Sequence, residues 1–325
     1  MESAIRVSLA VGLPLLTLHA IDRLDLAVYA AFGGLAMLYG HGEPSKRRVE
    51  SQIVAGAGLV ATMAAAMAYS AALGPVWLLG VLLAVTVLGA STLGAAMGWM
   101  PRGEMFFVLV LLIIAGIPTG WDRLPVGITV GAGGAAFSVL LAWLIGIDAS
   151  GNEPRSEGWR RRLSRGYARL DHRQHLILIV AATFGVLTAW SIALLLGVGH
   201  PFWAAVTVAA LMPALASADV WSRVLHLMMG TLGGVTVATG LFSFEPGPLA
   251  LIAIIVVCQG AAEIAVKRSY GLALLFFSPL AIGMSNLGRD APWKPLLMDR
   301  LIEAALGTAV AFLTIVVGRR VLRIA

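Results

Sequence analysis

Cysteine is all but absent. Cys258 is the only one in 325 residues, and it lies inside an apolar run. That excludes a disulfide framework, and any zinc or iron–sulfur site built from several thiolates. Charge is scarce as well: charged residues make up 12% of the chain, against roughly 25% in a soluble domain. Lysine is rarest of the basic residues, with Lys46, Lys267 and Lys294 as the full set. None follows a glycine, so the phosphate-cradling Gly-x-x-x-x-Gly-Lys loop is missing. No His-x-x-x-His pair or Gly-x-Ser-x-Gly elbow occurs either. No enzyme activity, metal or cofactor is expected.

What is present is apolar. Hydrophobic residues reach 59% and mean hydropathy is +0.89, more apolar surface than a soluble fold of this length could bury. Charge-free intervals run over 51–101, 124–147, 174–218, 224–244 and 269–288. A membrane-spanning helix needs about 20 apolar residues, so the first and third intervals hold two spans each. The runs are continuous rather than alternating, which argues against strands. The sequence therefore predicts an all-α polytopic membrane protein of about twelve transmembrane helices. Their expected ranges are 5–21, 25–41, 51–73, 75–98, 104–118 and 124–147, then 174–198, 201–216, 221–243, 247–266, 270–287 and 296–318. No cleavable signal peptide is evident, and the first span is expected to double as the targeting signal.

The pattern occurs twice. Asp25 to Phe32 and Arg48 correspond, at an offset of 175, to His200 to Thr207 and Arg223. Each copy is followed by a glycine-rich span, with Gly56 and Gly58 in one and Gly230, Gly233 and Gly234 in the other. This divides the chain into a six-helix repeat over 1–147, a basic linker over 148–173 and a second six-helix repeat over 174–325. An even number of spans per half makes the repeats parallel, as in many transporters. With the N-terminus in the cytoplasm, 18 of the 23 basic residues fall inside, which the positive-inside rule favours. Both termini and the linker are then cytoplasmic. The net charge of +6 reflects this orientation and not nucleic-acid binding. Within the linker, Arg160, Arg161 and Arg162 with Leu163, Tyr167 and Leu170 fit a short basic helix on anionic headgroups. A solvated tether fits equally.

His200-Pro201-Phe202-Trp203-Ala204-Ala205, then Trp221-Ser222-Arg223 running into Gly230-Thr231-Leu232-Gly233, resembles the fusaric-acid-resistance-like family, often abbreviated FUSC. Gln259 and Glu263, Tyr270-Gly271-Leu272-Ala273, Pro279-Leu280, and Asp299-Arg300-Leu301 with Glu303 and Gly307 continue the resemblance. It is dense over 200–310. Tyr29-Ala30-Ala31-Phe32-Gly33 and Arg47-Arg48 carry it more loosely in the first half. The family includes exporters of aromatic carboxylic acids and is similar to plant malate-conducting channels. The resemblance implies an inner-membrane efflux protein for organic anions. Many long members carry a large cytoplasmic domain where this chain has only a linker.

Candidate site residues follow from chemistry. Short or broken spans at matching places point to a transport site: spans two and eight, with Gly33-Gly34 and Pro213, and spans five and eleven, with Pro118 and Pro279. The N-terminal end of a broken helix attracts anions. An organic anion needs a positive partner, and a guanidinium suits a carboxylate; Arg223 and Arg300 are the candidates, Arg223 serving equally as a topology anchor. Tyr29, Phe32 and Trp203 are candidates for an aromatic pocket, with interfacial packing the competing account, and Gln259 joins them on span ten. Ionisable residues inside spans are usually functional. Glu263 and Glu303 are candidates for proton coupling, Glu263 competing with a pair to Lys267, and Glu303 with a cluster including Asp299 and Arg300.

The expected function is export of organic anions across the inner membrane, with aromatic carboxylates as the substrate class; the energy source stays open, with proton coupling as the candidate. An anion channel and a non-transporting scaffold stand as alternatives, and a homo-oligomer stays open. The bilayer and the substrate are the expected partners. Single cysteines introduced into the linker should stay unlabelled by an impermeant reagent in intact cells, while cysteines in 289–294 should react. Linker labelling would reverse the orientation.

Overall fold

The computed structural model describes residues 2–40, 42–99, 103–146, 158–216, 220–266, 268–287 and 292–322, whose regular structure is all helical, without strands. The helices are α1 (Glu2–Ala20), α2 (Ala27–Gly34), α3 (Ser45–Ala71), α4 (Val76–Met97), α5 (Met105–Ala115), α6 (Leu124–Gly146) and α7 (Trp159–Ala168). The remainder are α8 (His172–Leu195), α9 (Phe202–Leu211), α10 (Val220–Phe242), α11 (Pro248–Val266), α12 (Tyr270–Asn286) and α13 (Trp293–Leu322).

Local chemistry sets the ends. Pro75 closes the turn before α4, and Gly98 ends that helix in the left-handed conformation, at φ 67°. Asp171 caps α8, its carboxylate accepting from the N–H groups of Arg173 and Gln174 at 3.0 and 3.2 Å. α3 begins at Ser45 and not at 51 as the charge-free interval suggests, because Lys46 to Glu50 continue the helix beyond the apolar stretch.

Seven of these helices are long and apolar enough to cross a membrane. The five shorter apolar helices are Ala4–Ala20, Leu24–Leu38, Met105–Ala115, Phe202–Leu211 and Gly271–Asn286. They stand where spans one, two, five, eight and eleven are expected. α2 and α9 share one design: each stops early and passes into a 3-10 turn, at Leu35–Leu38 and at Met212–Ala216. Apolar side chains such as Phe184, Val257 and Leu313 stand exposed on helix faces, as a lipid-facing surface requires. The protein is a multi-pass helical membrane protein.

The pairing of helices in the first half recurs in the second. α2 packs on α6 and α9 on α13; α3 on α5 and α10 on α12; α4 on α5 and α11 on α12. Between halves, α1 meets α11 and α4 meets α8. Small residues permit these contacts. A Cβ at Gly134 of α6 would press into the Ala30 carbonyl of α2, and one at Gly307 of α13 would lie 2.5 Å from the Ala204 carbonyl of α9. The glycines of the Gly230/Gly234 pair face Gly271 and Leu274 in the same way.

The linker is not a free tether over its described part. Gly166 of α7 lies against the Ala96 carbonyl, too close for any side chain, so α7 is seated on the end of α4. Arg162 bonds the Glu43 carboxylate and the Met97 carbonyl, and donates to Ser51 Oγ at 3.1 Å. Residues 148–157 of the expected linker lie outside the described residues.

Neighbouring glycines test this packing. Gly134→Val should lower the thermal unfolding midpoint in detergent by several degrees, at about 1–3 kcal/mol for an overpacked contact. Gly133→Val, where a Cβ meets nothing within 4 Å, should leave it close to the parent's. Equal effects would refute the α2–α6 contact.

Candidate functional site

The break before α9 sets the geometry. Residues 196–201 turn between α8 and α9, leaving the first N–H groups of α9 without helical partners. Glu303 of α13, fully buried, supplies them. Its carboxylate accepts from His200 N at 3.1 Å, Trp203 N at 2.9 Å and Ala204 N at 3.2 Å. The positive end of α9 is thus occupied by a carboxylate of the chain itself, and is not an open receptor for a substrate anion as the broken helix suggests. One turn earlier, Asp299 Oδ2 lies 2.7 Å from His200 Nδ1. Asp299 and Glu303, four residues apart, both face the α9 entry. They therefore do not form one ion-pair cluster with Arg300. Arg300, offset round α13, places its guanidinium over the Trp203 ring, 4.4 Å from the centroid.

Beside this junction lies a cavity of about 150 Å³ between the two halves. Its walls are apolar, with Phe32 and Phe106 from the first half and Trp203 and Phe277 from the second. Thr207, Gln259 and Ser285 contribute polar groups, and Arg300 is the one charged residue in the lining among the described residues. A dry apolar space of about this size holds a benzene ring. A second cavity of about 550 Å³ shares Val28, Ile113, Met284 and Ser285 with the first. It carries Asp25, Arg123 and His200, and reaches the loops after α5 and before α9. Opposite, the aromatic rings of Tyr39, Trp99, Phe106 and Phe107 close together, with Tyr39 4.8 Å from Trp99 and 5.9 Å from Phe107 between centroids.

Four expected substrate residues, Phe32, Trp203, Gln259 and Arg300, therefore meet in one cavity. Two do not. Tyr29 is buried against Gly127 of α6, and Arg223 is partly exposed on α10; neither lines the cavity. Glu263 is buried on α11, one turn beyond Gln259 and off the lining. Its expected partner, Lys267, lies outside the described residues. The His200–Asp299 bond escaped sequence reasoning. The four-residue spacing of Asp299 and Glu303 was a visible signal, but the helix facing it was not. Phe106 and Phe277 sit in wholly apolar runs that carry no signal at all.

Residues 188–314 match the fusaric acid resistance protein-like family. That is the family that residues 200–310 resemble, and the matched stretch holds the α9 entry, Gln259, Arg300 and Glu303. The chain is similar to the uncharacterized membrane protein YvaC of Bacillus subtilis (strain 168), at 27% identity over 117 residues. The aligned part is 36% of this chain and 18% of YvaC, so the chain spans about a fifth of that relative's length. No solved structure matches.

Glu303→Gln tests the α9 cap. The amide keeps one acceptor oxygen but turns an NH2 toward a backbone N–H, which should cost about 1–3 kcal/mol. The expected outcome is a fall of several degrees in the unfolding midpoint of the purified protein. An unchanged midpoint would show that the carboxylate is not the cap.

Proposed function

We propose that the protein is a transporter, not an enzyme, exporting aromatic carboxylates across the inner membrane. The observation that carries this reading is the cavity between the halves, where aromatic walls surround a single guanidinium. Phe32 and Trp203 suit an aromatic ring, Arg300 its carboxylate, and Gln259 and Thr207 further hydrogen bonds. The family match over 188–314 is compatible with it.

The recurrent helix pairs support twelve spans in two parallel repeats. With both termini and α7 in the cytoplasm, the larger cavity opens outward. The Tyr39, Trp99 and Phe106 rings then form the inner closure. The residues shared by the two cavities, Val28, Ile113, Met284 and Ser285, support a path between the central cavity and the outside.

Proton coupling runs through Glu303. Protonation removes a charge and an acceptor from the N-terminus of α9, loosening the short helix that carries Trp203. Binding and release at the cavity are thereby tied to a proton entering from the vestibule, past His200 and Asp299. Glu263, one turn from Gln259, is the second candidate carrier.

Flux into proteoliposomes of benzoate and larger aromatic acids, with and without a pH gradient, tests the reading. Carboxylate flux should rise with the gradient, while neutral benzamide should not respond. Arg300→Gln should cut carboxylate flux by about 10- to 100-fold, the worth of one hydrogen bond to a charged group. Glu303→Gln should remove the gradient dependence in the protein that folds. Current that follows the membrane potential and ignores the gradient would identify a channel instead, and no flux of any acid would overturn the transport reading.

A further inference from the structure

A third cavity, of about 360 Å³, lies on the linker side, remote from the transport cavity. Its walls are the N-terminal turns of α3, the end of α4 and one face of α7. Four arginines line it, Arg47, Arg162, Arg165 and Arg169, against one carboxylate, Glu50. On α7 the three arginines recur at spacings of three and four, which gathers them on a single face. Gly166 lies on that same face and abuts the Ala96 carbonyl, which fixes α7 against α4. Arg162 is held by Glu43, Ser51 and the Met97 carbonyl, so this wall is anchored. Arg47 and Arg169 are exposed at the rim. Trp159 and Tyr167 of α7 also stand exposed, as aromatic anchors at a membrane surface do.

We propose that this cavity binds a phosphate group, that of an anionic phospholipid headgroup, and that the bound headgroup holds α7 against α4. Concave guanidinium clusters match phosphate oxygens in charge and geometry. The position at the linker end of α3 and α4, with aromatic anchors on the same helix, places the site at headgroup level. A soluble phosphate has the same chemistry, and the experiment separates the two sources. The site stands independently of what the central cavity carries.

The purified protein, delipidated in neutral detergent, is titrated by calorimetry with short-chain phosphatidylglycerol, short-chain phosphatidylcholine and pyrophosphate. Phosphatidylglycerol should bind and phosphatidylcholine should not. The triple variant Arg47→Gln, Arg165→Gln, Arg169→Gln should bind about a hundredfold more weakly, at about fivefold per arginine. The control triple Arg160→Gln, Arg161→Gln, Arg173→Gln removes equal charge from exposed positions outside the cavity, and should lose only a few-fold. If the triple variant does not fold, Arg47→Gln and Arg169→Gln alone should each show the fivefold loss. Arginine-dependent binding of pyrophosphate without phosphatidylglycerol would keep the phosphate site and overturn the lipid as its occupant. Equal losses in the two triples, or no binding of either phosphate compound, would overturn the site.

Discussion

Inside a bilayer a helix cannot simply stop, because the N–H groups it leaves bare find no water. α9 does stop short, and the Glu303 carboxylate is what makes that end tenable. The rest of the site depends on this contact. By holding His200, Trp203 and Ala204 by their backbones, Glu303 fixes where Trp203 projects, and so fixes the wall of the central cavity and the ring beneath Arg300. Asp299 repeats the tie at the His200 side chain. A residue placed for its charge thus works first as architecture, and any chemistry it performs acts through the helix it holds.

The two halves use the same helix pairs but not the same end chemistry. At the corresponding place on α6, residues 127–130 are Gly-Ile-Thr-Val, with no ionisable group. The entry to α2 has instead an exposed pair, Arg23 Nε donating to Asp25 at 3.0 Å, and this hydrogen bond raises the Arg23 pKa above its ordinary value. The first half therefore supplies apolar wall, through Phe32 and Phe106, and the second supplies polar function. The helix pairs recur, and among the described residues the second half alone supplies the charged residue lining the central cavity.

Much of this was legible in the chain. Charge-free runs located the helices, since a bilayer tolerates few alternatives to them, and the Gly33-Gly34 and Pro213 signals marked both short helices. Trp203, Gln259 and Arg300 were found because polar or aromatic residues in apolar spans are few. Tyr29 and Arg223 were misplaced because a helical sequence gives spacing along one helix but not which neighbour that face meets. The role of Glu303 was hidden for the same reason: its partners are backbone groups a hundred residues away, and backbone groups leave no mark in a sequence. The seating of α7 rests on Gly166, one glycine among 37.

The shortness of α5 and α9 has an electrical side. At 11 and 10 residues they span only about 16 and 15 Å, against a hydrocarbon thickness of about 30 Å. The larger cavity occupies the missing length, beyond the end of α5 and ahead of the start of α9. In the orientation proposed above, a vestibule open to electrolyte carries the outside potential inward with it. The membrane voltage then drops not across the full bilayer but across the thin septum between that vestibule and the aromatic closure. An anion crossing the septum outward, away from a negative interior, would collect nearly the whole voltage, about 2.3 kcal/mol per charge for each 100 mV, over little more than the length of its own binding cavity.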